Sequence, residues 1–389
     1  MKILRCAKRY RCELGTFCDQ SDYDILVAED TVCYGPSAPE HCEVGIVFKL
    51  LKQAFTEDEQ RLAYEALRRA AVETHNRGHA AGPIGGRLNG RDWVTPDQTE
   101  ILLRLIQWNG TSREEGTKQT QGRVWLRSKV LTDWPEYDGW FDRWHTWVIT
   151  LSPQEQKNAA EHVIRNYISA TSYAMPAMSG IAGYMDRYPR IPYGRATSYT
   201  EKHPYRFAKC GPYTRKLDAI FKRELPAHWQ AQRDAANIVD PRFTIYGSVF
   251  STLTVNHNWQ TAAHRDDGDL SVGFSSLAGF TGPDGKGWRG GEFILPEYRL
   301  AIRLEPRDLL LVASHDAIHA NAPLLGEDND RLTVVAYFRE KMLQLGSWEY
   351  EMLRKRFVTE QGLWEGMWRS QAWADYLAEH NMVDEDGLV

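Results

Sequence analysis

Residues 290–321 read GGEFILPEYRLAIRLEPRDLLLVASHDAIHAN, three short apolar runs separated by turn chemistry. The runs 292–295, 298–304 and 309–313 have strand length, and Pro296-Glu297 and Glu305-Pro306-Arg307-Asp308 break them apart. Upstream, residues 248–256 alternate cleanly. Val249, Ser251, Leu253 and Val255 share one face, and Phe250, Thr252 and Thr254 share the other. Downstream, 332–338 (LTVVAYF) forms a further run. Many short strands with turns between them make a sandwich or barrel, here a double-stranded β-helix of jelly-roll, cupin-like type. The fold class expected is α+β, with that core behind a largely helical N-terminal region and before a helical C-terminal tail. The tail carries Trp348, Trp364, Trp368 and Trp373.

Between the strands lies His264-Arg265-Asp266, followed by His319 and Arg331. On a strand, alternate side chains share a face, so His264 and Asp266 can grip one ion while Arg265 points away. His319 supplies a third ligand from another strand, with His315 as the alternative four residues earlier. Two imidazoles and a carboxylate on one side of an ion leave its other positions open, the arrangement of non-haem Fe(II) oxygenases. Such an ion takes 2-oxoglutarate and O2, and the distant carboxylate of the co-substrate needs a fixed cation. Arg331 opens a strand and suits a bidentate carboxylate contact, and Thr333 shares its face and adds a hydroxyl donor.

The totals bound the rest. The chain has 389 residues, 42% hydrophobic and 25% charged, as in ordinary globular proteins. No apolar run approaches the roughly 20 residues that cross a bilayer. The first ten residues lack the apolar stretch of a secretory signal, so a cytoplasmic location is expected. A net charge of −5 excludes a protein that coats nucleic acid over its whole surface, and any DNA contact must be local. Cys6, Cys12, Cys18, Cys33 and Cys42, with His41, suggest either a structural zinc or small buried thiols.

Four regions are expected. Residues 1–45 form a small cysteine-containing β-rich segment. Residues 46–170 are mainly helical, with a helix start at Thr56-Glu57-Asp58-Glu59 and a buried stripe through Leu51, Phe55, Leu62, Tyr64, Leu67 and Val72. This region also holds a glycine-rich basic loop at 79–93, a helix from Pro96-Asp97, a Trp-rich stretch at 125–147 and a helix opened by Ser152-Pro153. Residues 171–345 carry the oxygenase core, and 346–389 the tail.

The segments 254–269 (TVNHNWQTAAHRDDGD), 290–321 and 330–340 (DRLTVVAYFRE), with SGIAGYMDR (179–187) and GRATSYT (194–200), resemble the TET/JBP family of Fe(II)/2-oxoglutarate dioxygenases. Its phage and bacterial members on the JBP side are the most similar, which implies a bacterial or phage-infected cell. The resemblance implies oxidation of the 5-methyl group of a pyrimidine in DNA to 5-hydroxymethyl. It places His264, Asp266 and His319 at the iron positions and Arg331 at the 2-oxoglutarate position. His319 is favoured because Asn321-Ala322-Pro323 follows, like the family's H-x-N-x-P. Asn256 and Arg195 fall at motif positions near the active centre, with Gly194 where the family often has cysteine. A base must leave the duplex to reach a buried metal. A cationic, aromatic lip is therefore expected, and 187–223, with Arg195 and Tyr193, is the candidate. The reading leans to 5-methylcytosine over thymine. The alternatives are hydroxylation of a free nucleotide or small molecule, and a non-catalytic modified-DNA binding module.

Overall fold

The computed structural model describes residues 1–36, 45–74, 77–82, 177–188, 190–364 and 366–383, with the single positions 38, 43, 150 and 152. The chain opens with β1 (Lys2–Arg5), β2 (Ile25–Val27), β3 (Thr31–Tyr34) and β4 (Ile46–Leu51), then helix α1 (Glu57–Leu67) and β5 (Val72–Thr74). The next described elements are β6 (Ala177–Met185), β7 (Arg195–Ala196) and helices α2 (Ser198–Lys202), α3 (Pro204–Ala208), α4 (Gly211–Glu224) and α5 (Pro226–Ile238). Strands β8 (Thr252–His257), β9 (Ser275–Phe280), β10 (Phe293–Leu295), β11 (Leu300–Ile302), β12 (Leu309–Val312), β13 (Ala320–Asn321) and β14 (Leu332–Tyr337) follow. Helices α6 (Trp348–Gln361) and α7 (Gln371–Glu379) close the described chain.

The larger sheet runs β1-β3-β4-β12-β9-β14-β8-β6-β5, with β7 bonded to β6; the smaller runs β13-β10-β11-β2. Period-two alternation sorts the side chains. Leu253 and Val255 of β8, Ala278 and Phe280 of β9, and Leu332, Val334 and Ala336 of β14 join one core cluster with Phe221 and Leu217 of α4 and Leu67 of α1. On the other face, Leu277, Leu310 and Val312 meet Phe293, Leu295, Leu300 and Ile302 of the smaller sheet. The sandwich is thus an apolar layer between sheets, backed by helices, and the polar positions of the inner face are left for a site.

Local chemistry sets the helix starts. Thr56 Oγ1 accepts from Glu59 N at 3.2 Å, and Glu59 Oε2 accepts from Thr56 N at 2.9 Å, the capping box expected there. Pro226 opens α5, where a missing N–H costs nothing.

Two expectations need correction. The apolar run 46–51 is not the start of a helix. It is β4, paired with β3 and β12 and almost wholly buried, and a short apolar run lacks the periodicity that separates strand from helix. Val72 is likewise exposed on β5 rather than part of a buried stripe. The N-terminal strands are also built into the sandwich: β1, β3 and β4 extend the larger sheet, and β2 pairs in parallel with β11 in the smaller one.

The sulfurs of Cys6 and Cys33 lie 2.8 Å apart and Cys18 is buried, while no group of metal-ligating side chains among the described residues includes a cysteine. His41, Cys42, most of the 79–93 loop, the helix from Pro96, the 125–147 stretch and the helix after Ser152 lie outside the described residues. Among the described residues no helix is long and apolar enough to cross a membrane.

Candidate metal centre

His264 and His319 are bound backbone to backbone. His264 N donates to His319 O at 3.0 Å and His319 N to His264 O at 2.9 Å, a single antiparallel bridge that sets the ring centroids 4.2 Å apart. Each ring is also tied behind. His264 Nδ1 donates to Ala262 O at 2.7 Å, and His319 Nδ1 to Ala317 O at 3.0 Å. Both tautomers are thereby fixed with a bare Nε2 lone pair turned inward, the form that binds metal. Burial, then the neighbouring His319, pushes His264 down to about 4, which keeps it neutral. Phe293 stacks on His319 with centroids 5.2 Å apart.

Asp266 completes the group. Its Oδ1 lies 3.8 Å from His264 Nε2 and its Oδ2 3.5 Å from His319 Nε2. One ligand atom from each of the three residues falls within 4.8 Å of the others, and no other such group of three occurs among the described residues. The route to this geometry differs from a plain strand. Only the bridge at His264 is sheet-like. The chain then turns, with Asp269 N donating to Asp266 O at 3.0 Å. Asp266-Asp267-Gly268-Asp269 is turn chemistry, and it overrides strand alternation. Arg265 still points elsewhere, its Nη2 lying 3.8 Å from Glu297 Oε1. His315 is not in the group; it lines a separate small recess with Gln232 and Phe338.

Arg331 is 3% exposed, and its Nε and Nη2 have no hydrogen-bond partner among the described residues. Burial pushes its pKa down to about 10, opposed only in part by Glu292. A buried guanidinium with idle donors is costly unless an anion meets it. Gly291, at φ +69°, makes the room: a Cβ there would approach Arg331 Nη1 to 3.1 Å. The donor set of two imidazoles and one carboxylate suits Fe(II), and the idle guanidinium suits a keto acid's far carboxylate, so the residues fit both groups. Thr333 is buried and paired in register with Asn256, which accepts from Ser179 Oγ.

A cavity of about 540 Å³ lies over the metal group, lined among others by Asn256, Trp259, Thr261, Asn321, Val335 and Tyr337. Arg331 and Thr333 do not line it, and neither do Arg195 and Tyr193. Arg195 is one layer back: its Nη1 donates to Asp186 O at 2.8 Å and to Tyr193 O at 3.4 Å, while Asp186 holds the cavity residue Arg339 at 2.7 Å. The 187–223 segment is largely spent on the fold. Arg187 pairs with buried Glu351, Lys209 with Glu65 at 2.9 Å, and Tyr199 donates to Ala66 O, while Tyr213 is fully buried. A charge run read without its partners overstates the free cations.

Other cavity residues escaped the sequence. Asp269 Oδ2 accepts from Ser275 Oγ at 2.6 Å and from Ser314 Oγ at 3.4 Å, and burial raises its pKa well above the ordinary carboxylate range. Tyr337 and Thr254 share a hydroxyl contact at 3.1 Å. Arg77 and His79 reach the cavity from far upstream; His79 opens the glycine-rich loop noted in the sequence, and Arg77 lies just before it.

With this geometry in place, comparison with known proteins is specific. Residues 180–340 match the oxygenase domain of the 2OGFeDO superfamily, TET/JBP type. The chain is 33% identical over 193 residues to thymine dioxygenase JBP1 of Leishmania tarentolae, covering 48% of this chain and 22% of that protein. It is 38% identical over 168 residues to thymine dioxygenase JBP1 of Trypanosoma brucei brucei, covering 41% of this chain and 19% of that one. The chain thus spans about a fifth of the length of these curated relatives. Among solved structures, NgTET1 in complex with 5mC DNA aligns over 46% of this chain and 68% of that chain, with a TM-score of 0.36 and 12% identity. The matched residues 180–340 include His264, Asp266, His319 and Arg331, so the part of the chain that carries the metal group is the part similar to the TET/JBP oxygenase domain.

Proposed function

We propose that this protein is an Fe(II)/2-oxoglutarate-dependent dioxygenase that hydroxylates the 5-methyl group of a pyrimidine in DNA, with thymine as the leading substrate. The observation that carries the reading is the convergence of His264 Nε2, His319 Nε2 and an Asp266 oxygen within 4.8 Å. In this reading those three side chains hold the iron, Arg331 receives the far carboxylate of 2-oxoglutarate, and Thr333 and Asn256 flank it. Bound iron and keto acid supply the O2 activation needed to oxidise an unactivated C–H bond. The chain's own part is to orient and to exclude water. The carbonyls of Ala262 and Ala317 orient the imidazoles with Nε2 towards the site, and Phe293 shields one of them.

The lean towards 5-methylcytosine gives way to thymine because both relatives quoted carry that substrate in their names. A 5-methyl group would reach the metal group by extraction of its base from the duplex, and a cavity of about 540 Å³ has room for a pyrimidine. Arg195 and Tyr193 act behind the cavity, on the Asp186–Arg339 contact, rather than on the base. The oxygenase unit comprises the strands of 1–74 together with 177–345, since both sheets need them.

Mass spectrometry of nucleosides tests this. Duplex DNA incubated with the full chain, Fe(II), 2-oxoglutarate and O2 should yield 5-hydroxymethyluracil. Oxidation confined to free nucleotides would replace DNA by a small substrate. The internal pairing of the 187–223 cations is the observation on that side.

A further inference from the structure

Most polar side chains facing the cavity satisfy one another. Arg339 Nε donates to Asp186 Oδ1 at 2.7 Å, Thr261 Oγ1 to Asn321 Oδ1 at 2.7 Å, and Ser275 and Ser314 serve Asp269. Among the described residues lining it, two buried side-chain nitrogens have no hydrogen-bond partner: Arg77 Nε and His79 Nδ1. An unmet buried donor is expensive and calls for an explanation.

Both residues flank Gly78 on one short turn, Gly78–Ala81, which lies outside the family-matched residues 180–340. The turn is anchored. Gly82 N donates to His79 O at 3.0 Å, and Ala262 N donates to Ala80 O at 2.9 Å. Ala262 is also the residue whose carbonyl receives His264 Nδ1–H, so the turn is registered to the metal centre through one residue. Arg77 immediately precedes this anchored turn and lines the cavity.

A guanidinium can only donate, so its partner must be an acceptor. At C4 of a 5-methylpyrimidine, thymine presents a carbonyl oxygen and 5-methylcytosine an amino donor. We infer that Arg77 is a specificity-determining residue that donates to the C4 carbonyl of the target thymine, supplied to the oxygenase core by this chain's N-terminal part. The assignment rests on the dioxygenase reading above. An amino group at C4 leaves Arg77 unmet, and a site built around a hydrogen bond discriminates strongly against the analogue that lacks it.

The test uses the iron- and 2-oxoglutarate-loaded full chain on three duplexes alike except at the target base. These carry thymine, 5-methylcytosine, and 5-methyl-2-pyrimidinone, which lacks the C4 oxygen. The wild-type protein should oxidise thymine at least about tenfold faster than either analogue. Arg77→Met should slow thymine by a similar factor and abolish the difference between thymine and the pyrimidinone, with iron and 2-oxoglutarate affinities unchanged by calorimetry. Arg77→Lys, which keeps a donor, should retain part of the preference. If Arg77→Met slows all three alike, or leaves the preference intact, the assignment is wrong while the dioxygenase reading stands. Should that variant not fold, wild-type indifference to loss of the C4 oxygen overturns it equally. Wild-type protein that binds iron and co-substrate but oxidises none of the three removes the reading beneath it as well.

Discussion

At the scale of single residues, the account rests on side chains whose partners are fixed or conspicuously missing. His264→Ala or Asp266→Ala should abolish turnover and lower iron affinity, while the apo melting temperature moves by no more than about 4 °C. Retained activity in either variant contradicts the ligand set. His315→Ala should leave iron binding untouched, since His315 lies in a different recess. Arg331→Met gives a sharper contrast. Its guanidinium is buried with idle donors, so the variant should be no less stable without co-substrate. The concentration of 2-oxoglutarate needed for half-maximal rate should nonetheless rise roughly 10- to 100-fold. Thermal melts with and without 2-oxoglutarate separate the two effects, and a destabilised apo variant with normal co-substrate dependence would sink the anchor role. The ligand residues were legible because their types and order admit few other chemistries. Asp269, Arg77 and Arg339 were not, because each matters through where the fold puts it.

At the scale of elements, close approach and end chemistry decide. Gly291 sits at φ +69° with Arg331 against the place of its missing Cβ. Gly291→Ala should therefore lower stability by roughly 1–2 kcal/mol from the left-handed backbone and weaken 2-oxoglutarate binding. Calorimetry showing normal co-substrate affinity would mean that Arg331 does not depend on that gap. Asp240 is different, because it ties a turn to α6. Its Oδ2 accepts from Trp348 N at 2.9 Å, and the adjacent Arg242 holds its carboxyl well below the usual carboxylate range. A depressed folded-state pKa contributes stability above the unfolded value, near 4, and loses it as pH falls. Asp240→Asn should thus be less stable than wild type at neutral pH, by no more than about 1 kcal/mol because the partner arginine is exposed. The gap should close in acid, and a gap that persists there contradicts the electrostatic cause. The strand within 248–256, which the structure places at 252–257, was readable from its alternation, and 332–337, though buried on both faces, was readable because it lies in a motif segment. The run 46–51 was misread because burial on both faces erases that contrast.

At the scale of the whole molecule, the N-terminal strands belong to the sandwich. Phe48 and Leu50 of β4 are fully buried, and β2 edges the smaller sheet. Each such side chain contributes about 1.5–3 kcal/mol, against a total stability of roughly 5–15 kcal/mol for a domain. Residues 177–345 expressed alone should lack cooperative unfolding, judged by near-UV circular dichroism during a thermal melt; a sharp transition would show that the core does not need them. Strand pairing between residues so far apart in sequence leaves no local trace, which is why 1–45 read as a separate segment. The central claim, one ferrous centre per chain made by His264, Asp266 and His319 beside a 2-oxoglutarate anchor, is reached most directly by anaerobic titration. Fe(II) added to apo protein with 2-oxoglutarate should produce the visible charge-transfer absorption of a chelated keto acid, saturating at about one iron per chain and vanishing in His264→Ala. An unchanged band in that variant, or no band in the wild-type protein, would contradict the account.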